Sequence, residues 1–319
     1  MDAQTSNARP TRAERFRADL ALLAAALVWG SSFAAQRVAA TQVGPFLFTG
    51  LRFLLGAVTL LPLTVRRLRG LTRTELVGGS LAGAVVVVGS VLQQTGLQST
   101  TAGNAGFITG LYVVLVPMLM AVIWRQWLHW SVWPASLLAA AGLFLISGMG
   151  RLNLAPGDAW ELAGAVFWAF HVIVIGMYAP RSDVLRLTTV QLVSCGLMCT
   201  VVGLVVEPGT LGDLGAVWPQ LLYVGVASVG LGYTLQVLGL RKAPAADASI
   251  ILSMEGMFAG LFGWLLLGEA LSPRQLLGCG LILAGMLLAQ ARMAWQARGA
   301  AKAERGQVVT AGRSGTTSL

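Results

Sequence analysis

Apolar stretches of about twenty residues alternate with short polar links along almost the whole chain. They fall near residues 18–40, 46–65, 76–98, 102–124, 132–149, 158–178, 186–206, 216–240, 246–267 and 273–291. A helix rises about 1.5 Å per residue, so about 20 apolar residues cross a hydrocarbon layer of about 30 Å. The links are too short for neighbours to separate, and the segments must pack as one bundle. The pattern predicts an all-α integral membrane protein with ten transmembrane helices.

Composition strengthens this reading. Only 11% of the 319 residues are charged, against roughly 25% in ordinary soluble domains. The net charge of +9 has a topological explanation. Arg9, Arg12, Arg15 and Arg17 precede the first segment, Arg66, Arg67, Arg69 and Arg73 follow the second, and Arg241 and Lys242 follow the eighth. With Arg125, Arg181, Arg186 and the basic last tail they share one side, whereas the opposite loops hold only Arg151 and Arg274. Lys and Arg accumulate in cytoplasmic loops, so both termini are expected in the cytoplasm, with the bundle in a bacterial plasma membrane. A nucleic-acid partner would need a basic patch on one soluble face, and none is expected.

A shift of 143 residues brings two halves into register. Gly89 then meets Gly232, Gln93 meets Gln236, Ala105 meets Ala248, and Ala141-Gly142 meet Ala284-Gly285. At the start a shift of 139 aligns Trp29 with Trp168. Each half has five segments, an odd number, so the second enters the membrane from the other side. The expected plan is two inverted five-helix repeats, 18–149 and 158–291, joined by an outer loop at 150–157 and flanked by cytoplasmic tails at 1–17 and 292–319. Inverted repeats are a common plan of secondary transporters, which bind substrate near the midplane between the halves.

The stretches Trp29-Gly30-Ser31-Ser32-Phe33, Thr49-Gly50-Leu51-Arg52-Phe53 and Phe107-Ile108-Thr109-Gly110-Leu111-Tyr112 resemble the drug/metabolite transporter superfamily. Together with Ser253-Met254-Glu255-Gly256, they are most similar to its EamA family of ten-helix proteins. The resemblance implies a midplane cavity ringed by helices 1–4 and 6–9, with helices 5 and 10 more peripheral. It also implies a carrier working by alternating access, with export of an amino acid or similar metabolite as its task. A multidrug or lipid-precursor exporter is the alternative within transport. A membrane-embedded enzyme, a receptor or an accessory subunit is the alternative outside it.

Several residues are candidates for the work. Glu255 falls near the middle of the ninth segment, where a charged side chain costs on the order of 2.5–3.5 kcal/mol. Either it faces a cavity and meets substrate or proton, or it is a protonated carboxyl bonded to a neighbouring helix. Its repeat mate is Tyr112. His171 lies one helical turn after Trp168, either sharing a proton with Glu255 or bonded to another helix. Gln93 and Gln236 are repeat-related amides suited to a cavity wall or to interhelical hydrogen bonds. Trp29 and Trp168 are candidate apolar walls. Asn104 and Asp247, matched near two helix starts, suit either helix-start hydrogen bonds or gating contacts. Arg37 and Arg52 are expected to snorkel to the outer surface. Gly79-xxx-Gly83, Gly106-xxx-Gly110 and Gly256-xxx-Gly260 are spacings that permit close helix packing.

Other candidates read as structure. His129 among Trp124, Trp127, Trp130 and Trp133 reads as an interfacial belt. Cys195, Cys199 and Cys279 lie in apolar runs without ligand-type spacing. Neither a G-x-x-x-x-G-K-[ST] loop, an H-E-x-x-H motif nor a G-x-S-x-G elbow occurs. No enzymatic activity, cofactor or resident metal is expected. The expected partners are a small-molecule substrate, the lipid bilayer and protons as coupling ion, in a monomer or a homodimer.

Overall fold

The computed structural model describes residues 10–123, 125, 130, 132–146, 156–268, 273–274, 276–278, 280–285 and 287–288. His129, Cys279, Trp124, Trp127 and most of both tails lie outside them. The elements are α1 (Arg12–Ala40), α2 (Pro45–Thr64), α3 (Arg73–Gly96), α4 (Ala102–Gly110), α5 (Tyr112–Ile123), α6 (Val132–Ile146), α7 (Pro156–Tyr178) and α8 (Val184–Val206). Then follow α9 (Trp218–Tyr223), a π-helical stretch (Val224–Gly232), α10 (Tyr233–Leu240), α11 (Ala245–Leu252) and α12 (Met254–Leu267).

Joined end to end, α4–α5, α9–α10 and α11–α12 each make one span. Among the described residues, 8 helical stretches are then long and apolar enough to cross a membrane. The chain is thus a multi-pass helical membrane protein. The expected fifth and tenth spans are described only as shorter apolar helices, Val132–Gly142 and Leu276–Gly285.

The helices begin where the sequence supplies caps. Thr11 and Glu14 form a capping box on α1, and Thr72 and Glu75 form another on α3. Asp183 accepts the N–H groups of Leu185 and Arg186 at the start of α8. Burial works against the charge of Asp183, but the Arg186 N–H and the Arg67 guanidinium outweigh it and hold the carboxyl below its ordinary range. The start of α2 has only Gly44 as its cap residue. Glu207, just after α8, reaches across and accepts from Phe46 N at 3.1 Å and Leu47 N at 2.8 Å.

Polarity is distributed inside out. The faces turned away from the bundle are apolar, with Val122 and Val205 each 75% exposed. The interior holds Ser32, Gln36, Gln93, Gln94, Glu161, His171 and Gln236. Helices in lipid gain nothing by hiding leucine from leucine, and they associate through close packing and interhelical hydrogen bonds. Glycine supplies the closeness. A Cβ on Gly83 of α3 would lie 2.7 Å from Ser194 Cβ and 2.8 Å from the Gln191 carbonyl of α8. One on Gly30 of α1 would lie 2.7 Å from the Glu255 carbonyl of α12. Gly106 of α4 abuts Ala259, also of α12.

Among the described residues, five ion pairs join the start of α1, the α10–α11 corner, the α2–α3 corner and the α7–α8 corner, all at one end of the bundle. Arg15 pairs with Asp19 at 3.1 Å and Asp247 at 3.4 Å, and Lys242 with Glu14 at 2.9 Å. Arg67 pairs with Asp183 at 2.9 Å and Arg186 with Glu75 at 3.6 Å. Asp247 thus bonds across to α1, and no side chain caps α11. At Asn104 the backbone N–H donates to the α4 cap residue Thr101.

Replacing Gly83 with Leu should wedge α3 from α8. Overpacking of this kind costs about 1–3 kcal/mol, read as earlier thermal unfolding in detergent micelles. Val88→Leu, at an exposed site on the same helix, serves as the neutral control.

Candidate functional site

A cavity lies at mid-depth between the helices, enclosing about 510 Å³ with its open mouth included. Trp29, Ser32, Phe33 and Gln36 of α1 line it, with Arg52 and Phe53 of α2, Gln93 of α3 and Thr109 of α4. The second half of the chain supplies Trp168 and Val172 of α7, Ser228 and Val229 of the π-helical stretch, Tyr233 and Gln236 of α10, and Glu255 of α12, and Tyr112 of α5 completes the lining. Six of the seven expected binding or coupling residues therefore meet at one site.

The seventh, His171, stands one layer back. Its Nε2 shares a hydrogen bond of 2.9 Å with Gln191 Oε1 of α8, and its ring abuts Trp168 and Tyr233 edge-on. Contrary to the expected ring of helices, α8 contributes no side chain to the lining among the described residues. It backs the wall through Gln191 instead.

The aromatic walls are interlocked. Tyr233 packs edge-on to Trp29 at 5.2 Å, Phe53 at 5.3 Å and His171 at 5.6 Å between ring centres. Trp29 Nε1 donates to the Ser228 carbonyl at 3.0 Å, tying α1 to the π-helical stretch. Such stretches are rare and are found frequently at functional sites.

Breaks in two spans set the depth of the polar groups. At Leu111, between α4 and α5, the backbone stands at φ −61°, ψ −14°, and at Ser253, between α11 and α12, at φ −60°, ψ −13°. The Ser253 hydroxyl donates back to the Ile250 carbonyl at 2.8 Å. Tyr112 and Glu255 sit in the first turn after these breaks. Both are buried, Glu255 with 4% of its surface exposed. The two lie near enough to interact, but among the described residues neither Glu255 Oε1 nor the Tyr112 hydroxyl makes a hydrogen bond of normal geometry. Gln236 Oε1 and Trp168 Nε1 are equally unpartnered. Buried polar groups are normally bonded; these four atoms, like Arg52 Nε, belong to residues that line the cavity.

Two further residues stand apart from the sequence reading, one contrary to its expectation and one that it did not single out. Arg52 does not snorkel: it is 3% exposed, stacked 5.5 Å from the rings of Phe48 and Phe53, and donates to Gln36 Oε1. It is the eighth residue of α2, roughly 10 Å below the helix start, a depth that the span boundary alone could have signalled. Glu161 of α7 is the other. It is fully buried, and its Oε2 accepts from the Thr109 hydroxyl at 3.2 Å, which in turn accepts from Gln93 Nε2 at 3.1 Å. Among the described residues no group of three His, Cys, Asp or Glu side chains is placed to hold a metal.

An all-α membrane bundle around a cavity lined by polar and aromatic side chains is an arrangement that transporters of small molecules use. A model of the EamA-like transporter family matches residues 16–148 and again residues 155–290, and the chain belongs to that family. An uncharacterised transporter of Archaeoglobus fulgidus is 31% identical over 281 residues, 88% of either chain. The Bacillus subtilis transporter YoaV is 26% identical over 84% of this chain and 95% of its own. The threonine/homoserine exporter RhtA of Escherichia coli is 27% identical over 154 residues, 47% of this chain and 51% of its own. A solved crystal structure superposes with a TM-score of 0.71 at 20% identity, over 86% of this chain and 96% of that one. At that identity the likeness bears on the fold alone. Members of this family are transporters rather than enzymes.

Thr109→Val would leave Gln93 Nε2 without its acceptor and Glu161 without its donor. Stranding buried partners costs about 1–3 kcal/mol. Unfolding in micelles should register that loss for Thr109→Val, while Thr109→Ser retains most of the stability.

Proposed function

We propose that the protein is a secondary active exporter of amino acids or related small metabolites. It works by alternating access between two inverted five-helix repeats, residues 18–149 and 158–291. The observation that carries this reading is the cavity lined from both halves, with the buried Glu255 in its lining and interlocked aromatic rings around it.

Paired packing supports the inverted arrangement. Helix α1 lies on α12 as α7 lies on α4 and α5, and α3 lies on α8 as α2 lies on the π-helical stretch. A Cβ on Gly142 would lie 2.8 Å from Ile282 N, and one on its repeat mate Gly285 would lie 2.7 Å from the Ala135 carbonyl. The matched breaks at Leu111 and Ser253 follow the same symmetry.

The ion pairs fasten the end of the bundle at which α1 begins, and the Lys and Arg distribution assigns that end to the cytoplasm. In this arrangement the cavity is latched from within. Arg15, Asp19, Asp247, Glu14 and Lys242 form the inner gate, with Asn104 at the corresponding outer corner. Opening the inner latch admits the substrate, and rocking of the halves releases it outside. Glu255 carries the coupled proton, in contact with Tyr112, and His171 steadies Trp168 and Tyr233 behind the wall. Gln93, Gln236, Trp29 and Trp168 bound the substrate. Both termini lie in the cytoplasm of a bacterial cell, and the working unit is a monomer or a homodimer. The likeness to a named threonine/homoserine exporter supports the substrate class.

Counterflow of labelled amino acids into liposomes holding the purified protein tests this reading, with cationic dyes and sugars as comparison panels. Saturable amino-acid uptake is expected. Uptake of the dyes alone would replace it with a multidrug exporter, and uptake of nothing by folded protein would remove the metabolite-carrier reading. Glu255→Gln should fold normally and give transport that no longer varies with pH, and retention of the wild-type pH profile would take the proton from Glu255. Arg15→Gln should increase labelling of a cysteine placed in the cavity by a reagent supplied on the cytoplasmic side.

A further inference from the structure

A guanidinium is not readily neutralised at any physiological pH, and burying an ion without a counter-ion costs several kcal/mol. Arg52 is buried in this way. Among the described residues no carboxylate pairs with it, and its Nε has no hydrogen-bond partner. Its contacts are a neutral amide oxygen and two aromatic faces. Cation–π contacts with Phe48 and Phe53 offset part of the desolvation but leave the charge unmatched.

The side chain is nonetheless held in place. Gln36 accepts from Arg52 through Oε1, and its Nε2 donates to the Ser32 hydroxyl at 3.0 Å. Ser32 donates to the Trp29 carbonyl at 2.8 Å and accepts from the Ser228 hydroxyl of the other half at 3.1 Å. A chain of four side chains from both walls thus fixes a cation beside the space the substrate would occupy. A planar fork with a free N–H and a fixed orientation is suited to a planar, two-oxygen anion.

We infer that Arg52 is the receptor for a carboxylate on the transported molecule, which makes the substrate class carboxylate-bearing, with Gln36 and Ser32 as its positioning residues. This rests on the reading of the cavity as the transport site. Glu255, also in the lining, is then left to the amino group of the same zwitterion or to the proton. The carboxylate of the cargo matches the charge of Arg52, so the buried cation is paired in the loaded cavity.

The test separates binding from transport. Titration calorimetry on the purified protein in micelles compares threonine, leucine and phenylalanine with their carboxamides, and propionate and benzoate with theirs. The acids should bind at least about tenfold more tightly than the amides, since charge-assisted hydrogen bonds are the strong ones. Arg52→Gln should abolish that preference, and Arg52→Lys, which keeps the charge, should retain part of it. Amides that bind as well as acids, or binding in neither series, would overturn the assignment without reference to any variant. The same pairs in counterflow address the carrier reading separately. Carboxylate binding without counterflow keeps the receptor and removes the carrier, whereas counterflow equal for acids and amides does the reverse.

Discussion

Inside a bilayer no water is available to a stranded polar group, and the architecture of this chain answers to that fact. Backbone N–H and C=O groups are satisfied within helices, so the fold is helical throughout the spans. Hydrophobic burial cannot bring those helices together. What does so is contact at glycine, where α3 meets α8 at Gly83 and α1 meets α12 at Gly30. Polar side chains must then find one another or share a protected space. Gln36, Arg52, Gln93, Thr109, Gln236 and Glu255 converge on one cavity because the lipid-facing surface excludes them.

The cavity combines rigidity with incompleteness. Its aromatic rings are braced by Tyr233 and its polar chains run through Ser32 and Thr109. Against that fixed frame, Tyr112, Trp168, Gln236 and Glu255 each leave a buried atom unsatisfied. A frame that holds unsatisfied groups in place is pre-organised, because a ligand need not bear the cost of ordering them. The breaks at Leu111 and Ser253 place two of these groups in the first turn of a half-helix, an arrangement used by transporters whose substrates meet discontinuous helices.

Much of this is legible in the residues. Hydropathy locates the spans, and the 143-residue shift picks out Tyr112 with Glu255 and Gln93 with Gln236. Six of the seven expected cavity residues share the site. What a linear pattern lacks is the direction of each side chain around its helix. Arginines near helix ends commonly snorkel, which points Arg52 to water, yet its rotation about α2 turns it inward onto Gln36. Asp247 reads as a helix-start acceptor, and its ion pair with Arg15 depends on a contact between residues 232 positions apart. Glu161 follows Trp160 near a span end, where acids are ordinary, and nothing in the pattern sets it apart. The breaks at Leu111 and Ser253 have no proline or glycine at the broken residue to announce them.

The cap on α2 bears on the history of the chain. Gly44 and Asp183 occupy corresponding positions under the 139-residue shift, at the starts of α2 and α8. One half satisfies its bare N–H groups with its own aspartate. The other half has no such side chain and relies on Glu207, a residue of its counterpart. A cap is worth about 0.5–2 kcal/mol, so the first half on its own would carry a frayed helix. If a single ancestral unit once paired with a second copy of itself, that exchangeability is gone: each half now meets a helix start of the other with a different residue, Glu207 at α2 and Glu75 at the Asp183 N–H before α8.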